Sequence, residues 1–191
     1  MMNACQRLMW RLRWQRLSAR LALIQAVVLD VDGVLTDGGL WHGPEGELLK
    51  RFHVRDGLGI RFLQRSGIEV AFLSGGRGGA TEVRARQLDI RHCCVGARDK
   101  PEALRAMRLE MGLAPEQILF VGDDLNDLAL QGHVALLVAT ADAALPLRRR
   151  ADGVLLHPGG HGAVRELAER LLRARGLWRH ICREGWRERN D

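Results

Sequence analysis

Asp30 and Asp32 stand two residues apart at the end of an apolar, β-branched run, Val27-Val28-Leu29-Asp30-Val31-Asp32-Gly33-Val34-Leu35-Thr36. Side chains on a strand repeat every two residues, so both carboxylates can lean to the same side where the strand ends. In an open α/β sheet that end faces the ligand crevice. Two carboxylates there suit a Mg²⁺ site and leave one oxygen free to act as a nucleophile. The segment also reads as an Asp-Gly turn after a buried strand, and residues elsewhere decide between the two.

Three further polar groups close predicted strands or open predicted helices: Ser74 in Phe72-Leu73-Ser74-Gly75-Gly76, Lys100 in Asp99-Lys100-Pro101, and Gly122-Asp123-Asp124-Leu125-Asn126-Asp127. Each has a plain alternative. Ser74 could be a turn or an N-cap, Lys100 a solvated lysine near a helix start, and Asp124 a helix cap favoured by the dipole. Together they fill the places that phosphoryl transfer requires. Asp30 can attack phosphorus to form an aspartyl-phosphate. Asp32 can protonate the leaving alkoxide and then activate water. Mg²⁺ on Asp30 and Asp123 would neutralise the transferring oxygens. Lys100 and the Ser74 hydroxyl would ligate those oxygens, with Gly75 and Gly76 admitting backbone N–H groups.

The elements that must position these residues follow from periodicity. Residues 5–22 carry Leu8, Trp10, Leu12, Trp14, Leu17 and Leu21 at helical spacing, with arginines between them. The pattern predicts a helix packed on the domain; an interfacial or targeting helix is the alternative. Gly38 to Val54 alternates apolar and polar residues about His42-Gly43-Pro44-Glu45-Gly46, which predicts a β-hairpin. Asp56-Gly57 predicts a cap for a helix running to about Ser66. Strand 68–73, helix 79–88, strand 91–95, helix 99–111, strand 118–121 and helix 124–131 follow, then strands at 134–138 and 154–156 and a last helix from Gly162. Strands alternating with helices predict a parallel, three-layer, Rossmann-like α/β fold. We divide the chain into a basic helical extension (1–24), one phosphatase-like domain (25–175) and a basic tail (176–191).

A chain of 191 residues with 47% hydrophobic content can bury one full core. No run of residues is long and apolar enough for an integral membrane segment, and Arg7, Arg11, Arg13, Arg16 and Arg20 interrupt the N-terminal region where a signal peptide would be apolar. Cys5, Cys93, Cys94 and Cys182 form no C-x-x-C pair, so a cytoplasmic, reduced protein is expected. The net charge of +6 resides at the ends: residues 1–29 hold five Arg and no acid, and residues 165–191 hold eight Arg against five acids. The middle is slightly acidic, which argues against a nucleic-acid partner at the carboxylate crevice.

The motifs D-x-D-G-V-L-T-D (30–37), Ser74, Lys100 and G-D-D-x-x-D (122–127) resemble those of the haloacid dehalogenase superfamily. The resemblance implies nucleophile Asp30, acid/base Asp32 with its backbone carbonyl on Mg²⁺, phosphate ligands Ser74 and Lys100, and metal-side Asp123 and Asp124. It also implies that Asp127 orients Lys100. The segments Gly46 to Ile60, which holds Lys50 and Arg55, and Gly159 to Glu166, which holds Arg165, are similar to 3-deoxy-D-manno-octulosonate 8-phosphate phosphatases. That similarity spans roughly residues 25–172. From it Lys50, Arg55 and Arg165 are expected to bind substrate, and the glycine tail to reach a neighbouring subunit's site within a homotetramer. The chain departs from the family pattern at Ser74-Gly75-Gly76, where T-G-R is common, and at His161, where another basic residue is usual.

The gaps between motifs leave no room for a cap domain. A capless phosphatase excludes water by assembling or by acting on something large. The expected activity is Mg²⁺-dependent hydrolysis of 3-deoxy-D-manno-octulosonate 8-phosphate. The alternatives are a nonulosonate 9-phosphate, a polynucleotide end, or a non-catalytic scaffold on the same fold.

Overall fold

The computed structural model describes residues 4–44 and 48–185. In chain order the elements are α1 (Ala4–Leu23), β1 (Ala26–Leu29), β2 (Trp41–His42), β3 (Leu48–Leu49), α2 (Val54–Arg65), β4 (Glu69–Leu73) and α3 (Ala80–Gln87). They continue with β5 (His92–Cys94), α4 (Lys100–Glu110), β6 (Ile118–Gly122), β7 (Leu136–Ala139), α5 (Leu145–Arg150), β8 (Gly153–Val154), α6 (Ala163–Ala174) and α7 (Trp178–Glu184). Six strands form one parallel sheet in the order β5-β4-β1-β6-β7-β8. The apolar run at 26–29 makes β1 the centre of that sheet, buried on both faces. Leu29 pairs with Phe72 of β4 and Val121 of β6, so Asp30, Ser74 and Asp123 leave the sheet along one edge.

Alternate strand residues feed two cores. Val27, Leu29, Val70, Phe72, Leu119 and Val121 pack under α1, α2, α3 and α6, whereas Val28, Ala71, Leu73 and Phe120 pack under α4 and α5. This is the predicted three-layer arrangement. Among the described residues no helix is long and apolar enough to cross a membrane.

Several boundaries differ from the sequence reading. In α1 the inward face is Trp10, Trp14, Leu17 and Leu21, while Leu8 and Leu12 are exposed. Both indole N–H groups donate to the Val154 carbonyl, at 2.8 and 3.2 Å, and the Arg170 guanidinium lies over both rings. These contacts fix which side turns inward, and Leu8 and Leu12 fall on the other. Helix α2 starts at Val54, capped by the His53 ring, which accepts the Arg55 N–H. Asp56 caps a different helix: its carboxylate accepts the Gly162 and Arg165 N–H groups at the start of α6. Residues Leu125–Leu130 form a 3-10 helix in place of the expected α-helix, because the Asp127 carboxylate bonds back to the Asp123 and Asp124 amides and draws the turn tight. The hairpin is limited to Trp41–His42 against Leu48–Leu49; Glu45 and Gly46 at its tip, like the tail beyond residue 185, lie outside the described residues.

Candidate active site

At the carboxyl edge of the sheet, Asp30, Asp32, Gly38, Ser74, Gly75, Gly76 and Asp123 to Asn126 line one open crevice. Asp30 is buried, and both of its oxygens are engaged: one accepts the Val31 N–H at 2.7 Å, the other the Lys100 ammonium at 2.8 Å. Lys100 opens α4 behind the cap Asp99 and also donates to Asp127 at 2.6 Å. Lys100 is thus a buried cation shared by two buried carboxylates. Ser74, also buried, accepts the Gly76 N–H at 3.1 Å, forming a turn whose hydroxyl stays on the crevice wall. Asp124 is exposed and accepts the Leu125 N–H, so its capping role is realised at the rim of the same crevice.

Charge is unbalanced here. Asp30, Asp123 and Asp127 have oxygens within 4.8 Å of one another. Burial, with the Asp127 charge adding to it, pushes Asp30 up to about 6 despite Lys100. Burial together with Asp30, Asp127 and Asp124 pushes Asp123 up to about 7. Burial alone would lower Lys100, but Asp30 and Asp127 outweigh it and hold the ammonium above its ordinary value.

Mg²⁺ fits these residues. The Asp123 carboxylate receives no protein hydrogen bond among the described residues, faces Asp30, and lies so close over Gly33 that a side chain there would collide with it. Among the described residues the crevice presents oxygen donors and no Cys or His, which suits a hard cation. Asp127 belongs to the cluster by distance only, because its oxygens are committed to Lys100 and to the amides of Asp123 and Asp124.

The remaining expected substrate residues fall elsewhere. Lys50 reaches the crevice from the hairpin's exit, but its ammonium is bound to Asp32 and Thr81. Arg55 and Arg165 line a second groove with Leu58, His157 and His161. There Arg165 pairs with Glu169 and lies over Phe62 and Trp178, whereas Arg55 has no acceptor among the described residues. Thr81 was not foreseen, and a lone threonine in a helical segment carries no signal of its own.

The glycine tail, expected to offer free N–H groups to a neighbouring site, uses them within its own chain. Gly159 donates to Asp142, Gly160 to the Val34 carbonyl at 3.0 Å, and Gly162 to Asp56. A side chain on Gly159 would collide with the backbone of Gly33. The paired glycines therefore buttress the loop that carries Asp30 and Asp32. A double glycine is a sequence signal for such close backbone approach.

This sheet, with its edge of carboxylates around one lysine, defines a class of hydrolase. A family model described as haloacid dehalogenase-like hydrolase matches residues 47–130. The 3-deoxy-D-manno-octulosonate 8-phosphate phosphatase KdsC of Escherichia coli (strain K12) is 45% identical over 153 residues, covering 80% of this chain and 81% of that protein. The crystal structure of the phosphatase of that name from Yersinia pestis superposes with a TM-score of 0.83 at 41% identity, covering 85% of this chain and 88% of that one. The structure from Moraxella catarrhalis, in complex with a magnesium ion, a phosphate ion and a KDO molecule, gives a TM-score of 0.86 at 30% identity, covering 89% and 98%. The chain belongs to the 3-deoxy-D-manno-octulosonate 8-phosphate phosphatase family of haloacid dehalogenase-like hydrolases, a family of phosphatases.

Proposed function

We propose that this phosphatase hydrolyses 3-deoxy-D-manno-octulosonate 8-phosphate to the free sugar acid and inorganic phosphate, with Mg²⁺ as its cofactor. The observation that carries the reading is the buried Asp30–Lys100–Asp127 chain with the Asp123 carboxylate, which receives no hydrogen bond among the described residues, facing it. Lys100 holds Asp30 in place and, with the Ser74 hydroxyl and the Gly75 amide, receives the phosphoryl oxygens. Asp30 attacks phosphorus, the bond to the sugar oxygen breaks, and the Asp32 carboxyl gives that oxygen its proton. Asp32, now a carboxylate, takes a proton from water. The resulting hydroxide attacks phosphorus, releasing phosphate and restoring Asp30. Mg²⁺, held by Asp30, Asp123 and the Asp32 carbonyl with Asp124 at its edge, would supply charge neutralisation that lets one anion approach another.

We also propose a homotetramer working in the cytoplasm. Leu40, Trp41 and Leu49 on the hairpin are exposed beside an open crevice, and an adjoining subunit would cover both. In that arrangement Arg55 offers its guanidinium to the substrate carboxylate of a neighbour, while Arg165 shapes the groove beside it. A phosphate-release screen over sugar phosphates with Mg²⁺ tests the reading. The octulosonate 8-phosphate should give the highest kcat/KM; preference for a nonulosonate 9-phosphate or a polynucleotide end would replace it.

A further inference from the structure

We infer that Lys50 is a positioning residue for the acid/base Asp32, tying that carboxyl to the hairpin; the inference rests on the phosphatase reading above. The Lys50 side chain is fully enclosed, although it directly follows the exposed Leu49 of β3. Its ammonium lies 2.8 Å from one Asp32 oxygen and 2.9 Å from the other, and 3.1 Å from the Thr81 hydroxyl. Thr81 is itself buried, in the first turn of α3. One cation thereby joins the loop after β1, the exit of the hairpin and the helix that follows Ser74.

Gly76 makes room for this contact. A Cβ there would stand 2.5 Å from an Asp32 oxygen, 3.3 Å from the Ser74 hydroxyl and 3.6 Å from the Lys50 ammonium. Any side chain at 76 would therefore push the Asp32 carboxyl off its present site. Glycine at 76 is thus the residue that lets Lys50 and Asp32 meet here. The ammonium donates to one oxygen, Oδ2, and leaves the buried Oδ1 without a hydrogen-bond partner among the described residues. That fixes the oxygen and the direction from which Asp32 presents its proton, while the carboxyl stays attached to the hairpin. Lys50 contacts Asp32 instead of standing free to meet the phosphate.

Leaving-group dependence separates positioning from a general structural role. An alkoxide must be protonated as it departs, whereas nitrophenolate leaves without a proton. Lys50→Met should lower kcat/KM for glycerol phosphate about tenfold to a hundredfold and for p-nitrophenyl phosphate no more than about threefold. In an Asp32→Asn background, Lys50→Met should add little on either ester, because the carboxyl it positions is gone. Thr81→Val, which leaves Lys50 in place and removes the hydroxyl that holds its ammonium, should reproduce the same split in smaller measure and guards against a folding defect in the lysine variant. Equal losses on both esters, or an undiminished effect of Lys50→Met without Asp32, would overturn the inference while leaving the phosphatase reading intact. A wild-type protein inactive on both esters would overturn the two together.

Discussion

Replacing Lys100 by Met removes the cation inside the carboxylate cluster and keeps a side chain of similar length. The ammonium is 2.8 Å from Asp30 and 2.6 Å from Asp127, and all three side chains are at most 6% exposed. At an effective dielectric of about 20, each attraction is about 6 kcal/mol gross, much of it offset by the cost of burying the charges. What the substitution exposes is the penalty of two buried carboxylates left without a counter-charge, about 3–5 kcal/mol. A domain of this size is stable by about 5–15 kcal/mol, so the variant should fold with a much reduced margin.

The loss should depend on pH in a direction that identifies its cause. Asp30 stands at about 6 with Lys100 present, against an ordinary 3.8, and rises further without it. A carboxyl raised on folding contributes stability that is complete below its unfolded pKa and is lost as pH rises through its folded one. The deficit of Lys100→Met should therefore be largest near about pH 8 and shrink toward about pH 5.5, by about 1.4 kcal/mol per unit for each carboxyl that keeps its proton. Urea denaturation of both proteins in EDTA at the two pH values measures this. A deficit below about 1 kcal/mol, or one that grows as pH falls, would refute the reasoning.

Asp56→Asn should cost about 1–3 kcal/mol in the same assay, since an amide has one acceptor for the two N–H groups at the head of α6 and turns its own N–H toward the other. Mg²⁺ binding should release protons, because Asp123 at about 7 and Asp30 at about 6 must ionise to hold it. Calorimetry in buffers of different ionisation enthalpy should show this release, with affinity weakening as pH falls through 7 toward 6. Arg55→Ala should raise KM for the octulosonate 8-phosphate about tenfold or more and leave p-nitrophenyl phosphate unchanged, since only the sugar acid has a carboxylate to lose. Equal effects on both would remove Arg55 from the substrate.

The sheet was legible because each strand is a short apolar run that stops at a polar residue. The same punctuation placed Asp30, Ser74 and Asp123 on one edge, where the strand register brings them together. Lys100 opens a helix and its ammonium meets two carboxylates, Asp30 and Asp127, a task that a solvated lysine lacks. Contacts between distant segments were the illegible part. Asp56 looked like the cap of the helix beside it, yet it caps one that begins more than a hundred positions later, a pairing no local pattern encodes. Leu8 and Leu12 shared the helical spacing of Trp10 and Trp14, and contacts with the distant Val154 carbonyl and Arg170 guanidinium decide which side of α1 turns inward. Lys50 was expected on the substrate and is found on Asp32, because the fold of the hairpin's exit, and not residue type, sets where its ammonium ends. Since α6 supplies Val164, Leu167, Leu171 and Leu172 to the core, the glycine tail is better probed by point substitution than by truncation.

The covalent role of Asp30 is the central claim, and trapping the phosphorylated protein tests it most directly. Asp32→Asn should form the aspartyl-phosphate but release it slowly, having lost the group that activates water. Rapid acid quench during turnover of p-nitrophenyl phosphate with Mg²⁺, followed by digestion and mass spectrometry, should find a phosphoryl adduct on the peptide that carries Asp30, and none in Asp30→Asn. Turnover by Asp30→Asn at the wild-type rate, with no adduct on that peptide in either protein, would contradict the account.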